Sequence, residues 1–160
     1  MKYVVGLLLL VAISAAQAFP KADLVLVKKS ERKLFLVHDG HPFREFKVAL
    51  GSQPWGHKQY IGDDRTPEGR YSLDFKRAQS RFYKAIHISY PNSNDLTHAR
   101  ELGVNPGGNI LIHGFPNQNR EPPELAQRYN WTSGCIAVTN AEMDEIWASV
   151  EPGTPIEIAP

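Results

Sequence analysis

The first half of the chain carries the apolar pattern of strands. Residues 23–29 (DLVLVKK) and 33–39 (KLFLVHD) place apolar side chains at alternate or consecutive positions, with the polar "SER" between them as a hairpin loop. The turn signal "DGHP" follows, and "FREFKVALG" after it predicts a third strand. Three strands joined by short turns predict an antiparallel meander. From Gly51 to Gly69 the pattern disappears into Gly, Pro and polar residues, which predicts one long loop. Its tryptophan and tyrosine argue against disorder, because disordered segments are poor in aromatics. Strands resume at "RYSLDF" and "YKAIHISY", and "NSNDLTHARELG" predicts a capped helix stopped by Gly103.

In the second half the apolar runs are shorter. "NILIHGF" (109–115) reads as a buried strand that delivers His113 at its end, and "NREPPELAQRYN" as a polar loop with one helical turn. "SGCIAV" (133–138) is another short apolar run. Thr139 with Glu142 forms a capping-box pattern, ahead of helical spacing at Met143, Ile146, Trp147 and Val150. "TPIEIA" predicts a closing strand. There is no internal repeat and no linker, so the expectation is a single, mainly β domain with a few short helices.

Composition changes this picture at the N-terminus. Residues 1–18 begin with Lys2, continue through an apolar run at 4–13, and end in "AQA". That is the layout of a signal peptide cleaved after Ala18, and the run is short of the roughly 20 apolar residues that span a bilayer. The expectation is an exported, periplasmic chain with its domain at 19–160, no transmembrane segment in the mature form, and a monomeric state. Basic and acidic residues nearly balance over the whole chain, 18 against 17, without a basic run. Such a chain lacks the electrostatic footprint of a nucleic-acid binder.

Export sharpens the question posed by Cys135, the single cysteine. It has no partner for an internal disulfide, so in an oxidising compartment it is buried and inert, paired between chains, or used. A lone cysteine is in general a small buried hydrophobe. A used one needs a base: a free thiol is only a few per cent ionised at neutral pH, and a neighbouring imidazole can take its proton and hold the ion pair. His113 is the candidate base, and Gly134 lets backbone and substrate approach closely. Both also have plainer readings, as a satisfied strand-end histidine and a turn entering a core strand. Spacing alone does not pair them. Asp63, Asp64 and the scattered histidines lack metal-ligand spacing, so neither metal nor cofactor is expected.

The segments "KVALG", "GHKQYIGDDRTPEGRY", "HISYPN", "GGNILIHGF" and "WTSGCIAVTN" resemble, in order, the L,D-transpeptidase catalytic domain family (the YkuD-like fold). The resemblance implies a β-sandwich with a few short helices and a cysteine acyltransferase site acting on peptidoglycan stem peptides. It makes Cys135 the nucleophile, His113 the general base and later acid, and the Gly114 carbonyl the group that orients the imidazole. Gly134 and Cys135 N–H groups become the oxyanion donors. Thr132 and Ser133 stand where the family more commonly has Ser and His, and Ala137 where it has Arg. Asn140 either holds the loop around Thr132 or caps the helix. Arg65 is a candidate carboxylate anchor, or part of a solvated turn, and His87 and Tyr90 line the cleft or simply pack. The implied activity is attack on the diaminopimelate–D-alanine bond and transfer to an amine. A hydrolase on the same site (a carboxypeptidase, or an amidase releasing a wall-linked peptide or protein) is the alternative, with a non-catalytic wall-binding module as the third reading.

Overall fold

The computed structural model describes residues 20–118 and 122–160; the expected signal segment, 1–18, lies outside them. The described chain opens with β1 (Leu24–Lys28), β2 (Lys33–His38) and β3 (His41–Lys47), paired antiparallel in sequence as the alternation predicts. Then come β4 (Gly69–Ser80), β5 (Tyr83–Ile88), α1 (Ser93–Leu102), β6 (Ile110–His113), α2 (Pro123–Ala126), β7 (Ile136–Ala137), α3 (Asn140–Ser149) and β8 (Thr154–Ala159). All eight strands join one sheet in the order β3-β2-β1-β8-β4-β5-β6-β7. The last strand is therefore central, parallel to β1 and antiparallel to β4.

The sheet curls until its edges meet. Past β3 the chain bridges Ala49 to Ala137 and Gly51 to Thr132, tying the β3 side to β7. The expected sandwich is thus one curled sheet wrapped round a continuous core of Val25, Leu36, Leu73, Ile86, Ile112, Ile136 and Ile158, among others. Burial of this apolar surface is the main force holding the curl. Both predicted helix caps are present: Asn92 boxes with Asp95 and Gly103 ends α1 in the left-handed region, while Thr139 boxes with Glu142 at the start of α3. Buried Met143 and Ile146 join α3 to the core. Among the described residues no helix is long and apolar enough to cross a membrane.

Two strands differ from expectation. β3 starts at His41 because Asp39 and Gly40, both with positive φ, close a two-residue hairpin. β4 runs five residues past the predicted "RYSLDF". Its outer half, "KRAQS", has no apolar alternation and is held by backbone pairing to β5, through Arg77–Ala85 and Ser80–Tyr83. That extension carries the hairpin tip at Phe82 over the end of β6.

Candidate active site

Parallel pairing of β6 and β7 sets Ile112 beside Ile136 and His113 beside Ala137. Side chains alternate along a strand. Ile110, Ile112 and Ile136 enter the core, so His113 at the C-terminal end of β6 and Cys135 just ahead of β7 both leave by the opposite face, Cys135 two positions back along the parallel pair. They line one cleft of about 520 Å³. His113 is 1% exposed. Its Nδ1 lies 2.6 Å from the Gly114 carbonyl, to which the protonated nitrogen donates, leaving Nε2 to face a reactant. Phe82 covers the ring at 4.4 Å between centroids, and Trp131 meets it edge-on at 5.9 Å.

Burial decides the charge state of this pair. It pushes the imidazole down to about 4, against the opposing effect of the Gly114 bond. It pushes the thiol up, against the Leu111 backbone and the Lys58 charge. Both shifts favour the uncharged thiol and imidazole over a thiolate–imidazolium pair. The thiol donates to Asn109 O at 3.9 Å. The physical reason is desolvation, which penalises both ions until a substrate supplies compensating contacts.

The Cys135 loop is held from within. Thr132 Oγ1 donates to the Cys135 carbonyl at 2.7 Å and accepts from the Gly134 N–H at 3.1 Å. The Gly134 donor is thus already occupied. Gly134 has φ +121°, and a Cβ there would stand 2.6 Å from the Arg65 carbonyl. At Gly51 a Cβ would stand 2.1 Å from the Asp64 carbonyl. Two glycines therefore let the 57–65 loop press against the strand-borne residues.

That loop forms the facing wall. Buried Lys58 donates to Asp63 Oδ1 at 2.7 Å and Tyr60 O at 3.1 Å. Asp63 also accepts from the N–H groups of Gln59, Tyr60 and Arg65, and these bonds with Lys58 hold its carboxyl below the usual range although burial raises it. Lys58 and Asp64 line the cleft. Neither they nor Phe82 and Trp131 are among the residues that sequence reasoning assigned to the site. A lysine five residues before an acidic pair, inside a loop rich in Gly and Pro, is the signal that could have found Lys58.

Other expected residues take different places. Arg65 sends its guanidinium to the His57 carbonyl at 3.5 Å and does not line the cleft; its backbone is what meets Gly134. His87 bonds Asp74 at 2.7 Å and stacks on Phe75, outside the cleft. Tyr90 is buried and donates to Pro106 O at 3.0 Å, behind the Gly107–Gly108 stretch that reaches the cleft. Asn140 does not cap α3, since Thr139 does, and among the described residues it makes no hydrogen bond to the Thr132 loop: its Oδ1 accepts from Phe115 N at 2.9 Å and pins the turn after His113. Ser133 is exposed at the cleft, whereas Ala137 is fully buried between Ala49 and His113. No room is left at Ala137 for the family's arginine without repacking. A smaller hollow of about 270 Å³ beside Trp55 contains Lys29 and Arg32, but both cations are bonded to carbonyls or Glu68. Asp23, His38 and Asp39 also come within 4.8 Å of one another, all exposed on the surface.

A curled sheet with a strand-end histidine and a glycine-flanked cysteine on one cleft defines the class, and comparison agrees. The model of the L,D-transpeptidase catalytic domain (YkuD) matches residues 22–158, so the chain belongs to that family. It is 33% identical over 132 residues to "Putative L,D-transpeptidase YafK" of Escherichia coli (strain K12), covering 79% of this chain and 46% of the relative. Among solved structures it resembles the helical cell shape determining protein Pgp2 of Campylobacter jejuni, with TM-score 0.63, 26% identity, and coverage of 84% of this chain and 46% of Pgp2. Bd1075 of Bdellovibrio bacteriovorus gives TM-score 0.59 and 26% identity over 91% of this chain and 50% of that one. The chain spans about half the length of these relatives. The Enterococcus faecium L,D-transpeptidase C442S mutant, at 15% identity and TM-score 0.57 over 87% of this chain and 50% of that one, shares the fold.

Proposed function

We propose that this chain is an exported, periplasmic peptidoglycan L,D-transpeptidase, formed by residues 19–160 after removal of 1–18, with Cys135 as nucleophile. The observation that carries the reading is the shared face of His113 and Cys135, with Nδ1 tied to Gly114 O so that Nε2 is the free nitrogen. Substrate entry displaces the thiol from Asn109 O. Sγ attacks the carbonyl on the L-centre of diaminopimelate while Nε2 takes the thiol proton. The Cys135 N–H stabilises the oxyanion, and the Gly134 N–H joins it only by leaving Thr132 Oγ1. As the C–N bond breaks, the imidazolium returns its proton to the D-alanine amine. An acceptor amine then attacks the thioester, with His113 as base.

The test is mass spectrometry of products from purified enzyme and a stem tetrapeptide. A cross-linked dimer with loss of D-alanine is the expected result. Tripeptide without dimer would assign the acyl-enzyme to water and make the chain a hydrolase. Absence of turnover with an intact thiol would overturn both.

A further inference from the structure

Beyond the reacting pair, the loop wall presents two charges of opposite sign to the same cleft. Lys58 is 3% exposed and uses two of its three ammonium protons, on Asp63 and the Tyr60 carbonyl. The third has no acceptor among the described residues. Asp63 is saturated by four donors, so it fixes Lys58 rather than competing for a ligand. Asp64, next in sequence, is half-buried at the cleft, and its carboxylate has no hydrogen bond or ion pair among the described residues. Its backbone is held at φ +53°, with its carbonyl accepting from Gln53 N at 3.1 Å. Beside them Ile61, 65% exposed, adds an apolar surface to the cleft.

We propose that Asp64 and Lys58 form a subsite for a zwitterionic amino-acid terminus, with Asp64 taking the ammonium, the spare Lys58 N–H the carboxylate, and Ile61 the methylenes leading to it. This rests on the proposed stem-peptide reading and deepens it. Diaminopimelate carries such a terminus on its side chain, three methylenes from the centre attacked by Cys135. A fixed cation donor and an unpaired carboxylate lining one cleft from the same loop read that pair of charges together. Charge-assisted hydrogen bonds are the strong ones, so losing either should be felt at the level of binding.

The test uses the full chain and three tetrapeptides: one with a free side-chain terminus, one with that amine acetylated, and one with that carboxylate amidated. Binding is read as protection of Cys135 from iodoacetamide, normalised to each protein's own rate without peptide. Acetylation and amidation should each weaken protection by about tenfold, the loss of one charge-assisted contact. Asp64→Asn keeps the left-handed backbone that asparagine tolerates. It should lose the discrimination against the acetylated peptide and keep that against the amidated one. Lys58→Met strands Asp63 without its cation, so the Asp64→Asn arm carries the decision. Equal protection by free and acetylated peptides in the wild type, or unchanged discrimination in Asp64→Asn, overturns the subsite. Should the peptides still be turned over in that case, the stem-peptide reading stands; neither protection nor turnover by any of them removes both.

Discussion

His113 ends a strand and Cys135 directly precedes the strand paired with it, whereas Lys58 and Asp64 stand on a loop with no strand of its own. The strand wall owes its geometry to register: the backbone ladder between β6 and β7 places both side chains on one face, and a buried core on the other side keeps them there. The loop wall owes its geometry to one buried carboxylate, Asp63, which gathers an ammonium and three backbone N–H groups. The reacting groups are thus placed by a strand pair and its core, while the charges facing them are placed by a polar knot and a few backbone bonds, from Ile61 N to Asn105 O and from Gln53 N to Asp64 O. Strands tolerate little shift before pairing is lost; a knot can be undone by one substitution.

Removing the nucleophile should separate the walls most sharply. Cys135→Ala is expected to reduce acyl transfer by at least about 10⁴-fold with unchanged circular dichroism and melting, since nothing else on the strand wall can form the thioester. Retained turnover would show that the chemistry sits elsewhere. His113→Gln keeps a polar group near Gly114 O but removes the base, and should lower kcat by about 10²–10⁴-fold. Iodoacetamide rates against pH check it, because a variant profile identical to wild type would detach His113 from the thiol.

On the loop wall the expected damage is to stability and binding. Asp63→Ala leaves Lys58 buried without its counter-charge, a change that costs about 3–5 kcal/mol in buried pairs. Urea unfolding should show it, together with a raised KM; a stable variant with normal KM would mean the knot does not hold the wall.

Acid tests the strand wall again. His113 has its folded pKa lowered from 6.5 to about 4, so between these values the unfolded state binds more protons and stability falls as pH falls. The loss should reach about 3 kcal/mol by pH 4, at about 1.4 kcal/mol per unit. In His113→Gln this part of the slope should vanish from pH-dependent melting. The smallest effect belongs to the α3 cap: Thr139→Ala should cost about 1 kcal/mol in thermal melts and leave kcat alone, because the cap lies behind both walls.

Apolar patterns and capping signals placed all eight strands and all three helices close to where they stand, β3 and β4 with shifted bounds, because each signal is local: period two exposes one strand face, and Asn92 or Thr139 satisfies N–H groups within three residues. Even the reacting pair was legible as residue types at the ends of short apolar runs, and the family resemblance supplied their pairing. What residues 23–160 could not announce is which strands become neighbours. The polar half of β4 has no pattern of its own, yet its pairing with β5 brings Phe82 over His113. Arg65, His87, Tyr90 and Asn140 looked like site residues by type, and only the fold turned them to His57, Asp74, Pro106 and Phe115. Lys58 and Asp64 were the converse, ordinary loop residues by type and brought to the cleft by packing at Gly51 and Gly134. Sequence period determines which way a side chain faces along its own strand; the closing of the sheet decides what it faces, since that depends on hydrogen bonds between segments as far apart as Ala49 and Ala137.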